Sequence, residues 1–344
     1  MPEMPRQRIA QALRILLGKD IPRQVRNDIP AITPSEIAEA RVFFPLDKFF
    51  IFGHARSGTT MLARLVRLHP EVHCNYQAHF FTRAPFLQAL VSDEEVGAWL
   101  RRGSNRWNQG GDLSALVLRS TADFILEREA RHKEKSIVGD KSPNSLVDGE
   151  SVRLMHKVYP DAFLIYIVRD GRDTSISHRF QAFIDFPHQL SKEDLQIRDD
   201  FIRRPEPYLH GERSIFTGSA IRRAAEGWVK NATETDQAGR ELYGDHYLSL
   251  RYEDLLENPW EEMLKVWDFL GASRVKPGLR SKLSAEMQQN PDADWQQQKA
   301  RDIAGPLQKG KHGSWREMLT PQDRQIFQQI AGQTLQVWGY EAAA

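Results

Sequence analysis

A strand, a glycine-bounded loop and a helix follow one another over residues 48–68, and this run constrains the fold more than any other stretch. Residues 48–52, all apolar except Lys48, are typical of a buried strand, which ends at Gly53. From Thr59 onward, apolar residues recur at helical spacing until Pro70 ends the pattern. The backbone N–H groups of such a loop, with the first turn of the helix, form a cradle for an anion.

The loop differs from the phosphate loop of nucleotide kinases and ATPases in the position of its cation. Gly53 and Gly58 keep the spacing of the pattern G-x-x-x-x-G-K-[ST], but Thr59 stands at the lysine position and Arg56 lies inside the loop. A kinase normally uses that lysine and a metal ion to offset the charge of a triphosphate. The loop therefore favours a less charged group such as a sulfuryl group, which carries one negative charge where a phosphoryl carries about two. Metal-free transfer by fixed cations and N–H donors is then expected.

The loop sequence resembles a known family. Arg56-Ser57-Gly58-Thr59-Thr60 after an apolar strand is similar to the 5′-phosphosulfate loop of sulfotransferases that use 3′-phosphoadenosine 5′-phosphosulfate (PAPS), in the branch with an arginine in the loop. The resemblance implies a P-loop-like sulfotransferase fold, a single-domain three-layer α/β/α structure with a central parallel sheet. It also implies that Arg56, with the N–H groups of residues 57–60, holds the 5′-phosphosulfate of PAPS.

A second motif supports this resemblance. The apolar residues 162–168 predict a central strand that ends at Arg169, and Asp173 and Thr174 predict the N-cap of the following helix. The family places an arginine at the strand end and a serine eight residues later, and both hold the 3′-phosphate. Arg169 and Ser177 match that pattern, since a guanidinium binds phosphate bidentately and a serine near the positive helix end adds a donor. The alternative is that Arg169 pairs with Asp170 or Asp173.

Three further segments follow the family order. Lys141 lies in a segment that resembles the family's Lys-x-Pro segment, whose lysine reaches the sulfuryl group, and Tyr252 matches a tyrosine near the adenine. Lys309 and Gly310 keep their places in a C-terminal segment that closes over the 3′-phosphate, although Gln308 replaces its first arginine. Without the resemblance, Lys141 would be an ordinary residue at a strand end and Tyr252 a core tyrosine. Lys309 and Gly310 would then belong to a solvated turn.

The general base is not found at its usual positions. Gln77 stands where many members have a glutamate, and Pro143 stands where the cytosolic branch has a histidine. His79 is predicted to point to the same side of an extended segment as Gln77, and its pKa near neutrality suits a base. His79 is therefore the first candidate for the general base. The alternative is that His79 is an ordinary polar residue at a strand–helix junction, without a catalytic role. His54 and Asp140 are the remaining candidates.

Composition sets the expected partners and compartment. The 47 lysine and arginine residues balance 46 aspartate and glutamate residues, so no basic field indicates a nucleic-acid partner. The single cysteine, Cys74, the short apolar runs and the lack of a hydrophobic signal region after Met1 predict a cytoplasmic protein without a transmembrane segment.

The chain divides into a lead-in and one domain. Residues 1–45 are predicted to form an N-terminal helix and a loop-rich lead-in, and residues 46–341 the sulfotransferase domain. The basic amphipathic residues 4–19 can contact a membrane surface or a partner, or pack on the domain. Residues 181–218 read as an insertion that crosses the top of the sheet and shapes the acceptor site. Residues 274–313 read as a lid over the cofactor, in which the polar residues 274–305 are predicted to be a mobile loop or lid.

The expected activity is metal-free, in-line transfer of a sulfuryl group from PAPS to a hydroxyl or amine of a small-molecule, glycan or lipid acceptor. A peptide tyrosine also stays open. Two alternatives remain, a nucleotide or small-molecule kinase with a degenerate phosphate loop, and a non-catalytic module that binds adenosine 3′,5′-bisphosphate. Gln77 and Pro143, both at base positions, keep the non-catalytic alternative open. The sequence predicts neither the acceptor nor the oligomeric state.

Overall fold

A five-stranded parallel sheet forms the centre of the molecule. The computed structural model describes residues 29–82, 87–143, 148–272, 277–289, 303 and 312–341. The strands are β1 (Asp47–Phe52), β2 (Val72–Tyr76), β3 (Ile137–Lys141), β4 (Phe163–Val168) and β5 (Tyr247–Arg251). Their order in the sheet is β2-β3-β1-β4-β5, and every neighbouring pair is parallel. The two motif strands β1 and β4 are therefore direct neighbours.

Helices connect the strands and cover both faces of the sheet. The helices of the described ranges are α1 (Pro34–Phe43), α2 (Thr59–Val66), α3 (Ala89–Ser92), α4 (Glu94–Leu100), α5 (Ser114–His132), α6 (Gly149–Val158), α7 (Gly171–Asp185), α8 (Lys192–Arg203), α9 (Glu206–Leu209), α10 (Gly218–Tyr243), α11 (Tyr252–Glu257), α12 (Pro259–Phe269), α13 (Leu279–Met287), α14 (Trp315–Met318) and α15 (Pro321–Val337). Short 3₁₀ turns occupy Pro187–Gln189 and Gly244–His246. The predicted three-layer α/β/α architecture is confirmed.

Two apolar cores lie on opposite faces of the sheet because successive strand residues alternate between faces. Phe49 and Ile51 of β1 pack in the core formed with α2, α11, α12 and α13. Phe50 and Phe52 pack in the larger core formed with α5, α6, α7, α10 and α15. Both faces of the central strands are buried, which explains why β1 and β4 read as continuous apolar runs.

Helix α7 begins earlier than the sequence predicts. Its N-cap is Asp170, whose carboxylate accepts a hydrogen bond from the N–H of Arg172, so the N-cap prediction at Asp173 and Thr174 is wrong. The carboxylate of Asp173 instead accepts hydrogen bonds from the N–H groups of Gly313 and Trp315. Ser177 consequently lies in the second turn of α7.

The predicted insertion, residues 181–218, is mostly helical, and its helix α8 packs against α7. The buried guanidinium of Arg179 on α7 pairs with Asp194 of α8 at 2.5 Å, and the ring of Phe201 packs on that of Phe180 with centroids 5.0 Å apart. These contacts fix the segment beside α7, the helix that carries Ser177.

The predicted lid contains a packed helix. Within residues 274–313, α13 buries Leu283 in the core beside α2, and Glu286 of α13 accepts a 2.6 Å hydrogen bond from the Nε of Arg64. The prediction of a loop is therefore wrong for the residues of α13. Most of the rest of that segment, and the N-terminal residues 1–28, lie outside the described residues.

Candidate active site

The loop between β1 and α2 follows a path that requires glycine. Arg56 and Gly58 both have a left-handed backbone, with φ of 74° and 90°. A Cβ atom at Gly58 would lie 2.2 Å from the ring of Tyr252, and a Cβ at Gly53 would lie 2.7 Å from the carbonyl oxygen of Ile167. Close approach of β4 and α11 to the loop therefore excludes any side chain at these two positions.

The loop leaves polar groups without partners at the start of α2. Ser57 is fully buried, and its Oγ has no hydrogen-bond partner among the described residues. The N-cap of α2 is Gly58, which supplies no side-chain cap to the first-turn N–H groups. An orphaned buried hydroxyl beside uncapped N–H groups fits an anion that would supply the missing acceptor oxygens.

Lys141 is held beside this loop. It is the last residue of β3, it is buried, and its Nζ donates a 3.1 Å hydrogen bond to the Oγ1 of Thr60 on α2. Its ammonium also lies 5.4 Å from the centroid of the Tyr76 ring. The structure thus brings the predicted sulfuryl-binding lysine to the helical side of the cradle.

The two sequence motifs are in direct contact. The Nε of Arg56 donates a 3.2 Å hydrogen bond to the Oγ of Ser177, and an Nη of Arg169 donates one of 3.2 Å to the carbonyl oxygen of Arg56. The guanidinium of Arg169 lies 4.9 Å from the ring centroid of Tyr252. Because β1 and β4 are neighbours, the groups that follow them form one crevice at their carboxyl ends.

The hydrogen bonds to Asp170 and Asp173 do not come from Arg169. Asp170 accepts hydrogen bonds from the Nε of Arg172 at 2.9 Å and from its Nη2 at 2.7 Å. Burial raises the pKa of Asp173, and the charge of Arg169 acts in the opposite direction. Arg169 therefore interacts electrostatically with Asp173 while its guanidinium lies against Tyr252.

Lys309 and Gly310, the predicted C-terminal ligands, lie outside the described residues. The residues that follow them are anchored, since the N–H groups of Gly313 and Trp315 both bond to Asp173. The guanidinium of Arg172 stacks on the ring of Trp315, 3.6 Å from its centroid. The described end of this segment is thus fixed to α7.

His79 does not lie on an extended segment. Strand β2 ends at Tyr76, and Gln77 and His79 both have left-handed backbones, with φ of 58° and 53°. The prediction that their side chains share one side of a strand is therefore wrong. The ring of His79 is buried and its Nδ1 bonds to the Oγ1 of Thr82 at 2.9 Å.

The pKa values of the two other candidate bases, His54 and Asp140, are shifted in opposite directions. Burial is the main cause that lowers the pKa of His54 to about 4, and burial raises the pKa of Asp140 to about 6. Asp140 faces the α5 side of the sheet, opposite to Lys141, because neighbouring strand residues alternate. His54 is therefore neutral at pH 7, and Asp140 is turned away from the cradle.

His178 is a neighbour of the site that sequence reasoning missed. Its ring packs edge-on against that of His54 with centroids 5.6 Å apart, and burial and the charge of Arg56 lower its pKa. The available signal was its position directly after Ser177.

A family model and curated relatives of similar sequence indicate one family. The family model described as "Sulfotransferase family" matches residues 48–276. A protein-tyrosine sulfotransferase of Drosophila melanogaster is 25% identical over 64% of this chain and 37% of that protein. A human heparan sulfate glucosamine 3-O-sulfotransferase 6 is 27% identical over 65% of this chain and 52% of that protein. A crystal structure of a mouse sulfotransferase, SULT7A1, complexed with PAP has 16% identity and a TM-score of 0.46, covering 84% of this chain and 85% of that one.

The chain spans about a third of the length of the protein-tyrosine sulfotransferases it matches, between 31% and 37%. These relatives also show that the prediction of a cytoplasmic protein is wrong. The prediction rested on the single cysteine, the short apolar runs and the lack of a hydrophobic signal region after Met1. A chain with a large core needs no disulfide in any compartment, so the cysteine count does not report on localisation.

Within the described ranges, no helix combines the length and apolar character needed to cross a bilayer. In the same part of the chain, no three His, Cys, Asp or Glu side chains are grouped so that they could hold a metal ion.

Proposed function

Since the chain belongs to the Sulfotransferase family, we propose that it transfers a sulfuryl group from PAPS to a hydroxyl acceptor. The observation that carries the proposal is the contact between the two motifs, in which Arg56 meets both Ser177 and Arg169. A donor with a 5′-phosphosulfate and a 3′-phosphate needs two anion-binding groups within one nucleoside's reach. The contact supplies both groups in one crevice.

The 5′-phosphosulfate would lie in the loop. Arg56 and the N–H groups of residues 57–60 would bind it, with the buried hydroxyl of Ser57 as a further donor. PAPS brings an activated sulfur–oxygen bond, which breaks as the acceptor oxygen bonds to sulfur. Arg56 would then stabilise charge on the departing phosphate oxygen, and Lys141 charge on the sulfuryl oxygens. One such cation contributes on the order of 2–4 kcal/mol to transition-state stability.

The 3′-phosphate would be bound by Arg169 and Ser177, with Lys309 as a third ligand. The guanidinium of Arg169 offers two parallel donors to phosphate, and Ser177 adds a hydroxyl. The ring of Tyr252 already lies against Arg169 and Gly58, and we propose that it also contacts the adenine. The 3′-phosphate is the group that would distinguish PAPS from ATP.

For the acceptor, we propose a phenolic or sugar hydroxyl. The support is that the printed names of the relatives refer to protein tyrosine and to a glucosamine of heparan sulfate. The acceptor must lose its proton as the new bond forms, and His79 is the proposed recipient. Its ring is buried and bonded to Thr82, so this step requires the His79 side chain to rotate toward the crevice while its backbone stays in place.

Two measurements test the proposal. Titration calorimetry should show binding of adenosine 3′,5′-bisphosphate (PAP) at least about tenfold tighter than AMP, because a lost charged hydrogen bond costs about 1.5–3 kcal/mol. Incubation with ³⁵S-labelled PAPS should label a tyrosine peptide or a heparan sulfate oligosaccharide. Equal affinity for PAP and AMP, together with no label on any acceptor and no release of labelled sulfate, would exclude the proposed activity.

A further inference from the structure

Three consecutive backbone N–H groups at the end of β2 are bonded to three consecutive residues at the end of β3. The N–H of Gln77 donates to the carbonyl oxygen of Lys141 at 2.7 Å. The N–H of Ala78 donates to the Oδ1 of Asp140 at 3.1 Å, and the N–H of His79 donates to the Oγ of Ser142 at 2.8 Å. We call residues 77–79 the acceptor turn.

The two side chains that bind the acceptor turn are themselves joined. The hydroxyl of Ser142 donates a short hydrogen bond to the Oδ2 of Asp140, which leaves its lone pairs for the N–H of His79. Asp140 and Ser142 are only 1% and 2% exposed, so this pair lies in the interior rather than at a solvated strand end. We call it the Asp140–Ser142 clamp.

The acceptor turn has a conformation that its sequence does not favour. Gln77 and His79 both have positive φ, which costs residues with a Cβ about 1 kcal/mol or more each. Such a conformation persists only where its surroundings impose it, and the three hydrogen bonds to residues 140–142 do so here. The buried carboxylate of Asp140 is thus one of the groups that hold the turn in this unfavourable conformation.

Neighbouring residues of β3 act on opposite faces of the sheet. Asp140 points toward the face covered by α5, whereas Lys141 reaches Thr60 of α2 on the other face. One strand end therefore fixes both the acceptor turn and the ammonium proposed to contact the sulfuryl group. The clamp supplies two of the three hydrogen bonds that hold the turn beside the strand end carrying that ammonium.

We propose that Asp140 and Ser142 are positioning residues of the transfer reaction, which fix the acceptor turn, and with it His79, relative to Lys141. This inference rests on the proposed sulfuryl transfer. The two residues touch neither donor nor acceptor in this assignment. They act through the backbone of residues 78 and 79, so their loss should affect turnover more than donor binding.

The experiment compares Ser142→Ala and Asp140→Asn with the conservative Ser142→Thr, which keeps the hydroxyl. Three properties are measured, namely amide hydrogen exchange of residues 77–79, PAP affinity by calorimetry, and kcat with labelled PAPS. Where no acceptor reacts, release of labelled sulfate to water gives kcat. Asp123→Asn is the matched control, because Asp123 is an equally buried aspartate beside Lys48, near the amino-terminal end of β1.

We expect amide exchange at residues 78 and 79 to accelerate by about tenfold or more in Ser142→Ala and Asp140→Asn, the loss expected for one hydrogen bond. PAP affinity should stay within about twofold, kcat should fall by about tenfold or more, and Ser142→Thr should recover most of it. Asp123→Asn should lower the melting temperature without changing kcat of the folded protein.

Two results would overturn the proposal. Faster exchange with unchanged kcat would show that the clamp only closes the strand ends, and unchanged exchange would show that the turn does not depend on it. If the wild-type protein neither binds PAP nor turns over PAPS, the proposed function fails and the positioning role falls with it. Amide exchange would then still decide whether the clamp holds the turn.

Discussion

The Nε of Arg56 donates a hydrogen bond to the hydroxyl of Ser177, a residue 121 positions further along the chain, at 3.2 Å. One residue comes from the loop after β1 and the other from the second turn of the helix after β4. Each is the group that we propose its own motif contributes to anion binding. Their contact makes the two motifs one site, and the following predictions test its parts.

Replacing Arg56 should reduce transfer strongly. We expect Arg56→Ala to lose about 2–4 kcal/mol of transition-state stabilisation, or about 30- to 1000-fold in kcat/KM for PAPS, because a fixed cation in the cradle disappears. Arg64→Ala is the control, since Arg64 lies on α2 but pairs with Glu286 of α13. It should keep its kcat/KM. Wild-type activity in Arg56→Ala would contradict the assignment of the loop.

Ser177→Ala should weaken recognition of the 3′-phosphate selectively. The loss of a hydroxyl donor to a charged phosphate costs about 1.5–3 kcal/mol, so PAP should bind about 10- to 150-fold more weakly while AMP binding stays unchanged. Ser175→Ala, a buried serine two residues earlier on α7, serves as control in the same calorimetry. An equal loss of affinity for PAP and AMP would place Ser177 away from the 3′-phosphate.

Gly58→Ala should destabilise the protein. The residue has φ of 90°, and the new methyl group would lie 2.2 Å from the ring of Tyr252. Strain of this kind costs about 1–3 kcal/mol, to be measured by urea unfolding. Gly227→Ala is the matched control on helix α10, where a Cβ atom meets nothing within 4 Å and should stabilise by up to about 1 kcal/mol. Equal stability of both variants would contradict the loop geometry.

Asp140 and His54 should give opposite pH dependences that partly cancel in the wild type. The folded pKa of Asp140 is raised from 3.8 to about 6, so the folded state binds more protons than the unfolded state between these values. Its contribution to the free energy of unfolding should therefore fall by about 3 kcal/mol as pH rises from about 4 to 6. Relative to wild type, Asp140→Asn should gain about that amount over this range.

The folded pKa of His54 is instead lowered from 6.5 to about 4, so the unfolded state binds more protons between these values. Its contribution to stability is present above pH 6.5 and is lost, by about 3 kcal/mol, as pH falls to about 4. His54→Gln should therefore lose stability relative to wild type as pH rises over the same range. Urea unfolding at pH 4, 5, 6 and 7 gives the free energy of unfolding of each variant relative to wild type. If both relative stabilities changed in the same direction with pH, the two assignments would be refuted.

The site could be predicted from the sequence where local pattern and chemistry coincide. The glycine loop, the strand ending at Arg169 and the lysine at the end of β3 are each encoded by neighbouring residues. The contact between Arg56 and Ser177 is not encoded by neighbouring residues, because it depends on β1 and β4 being adjacent in the sheet.

The errors have specific physical causes. Asp170, Asp173 and Thr174 are all residue types that cap helices well. The carboxylate of Asp173 instead binds the N–H groups of Gly313 and Trp315, which are distant in sequence, and Asp170 is the N-cap. The extended segment was predicted to continue past Tyr76 because glutamine rarely adopts positive φ, so its presence at position 77 gave no sign of the turn. Helix α13 gave little signal because it buries only two large apolar residues, Leu279 and Leu283.

The alternation along β3 places a carboxylate and an ammonium one residue apart on opposite faces of the sheet, at Asp140 and Lys141. A shift of one position in the pairing of β3 with β1 would exchange them and put a negative charge in the anion cradle. The polarity of the site is thus set by strand register. A single-residue insertion or deletion inside β3 is for this reason far more damaging than one in the turn that precedes the strand.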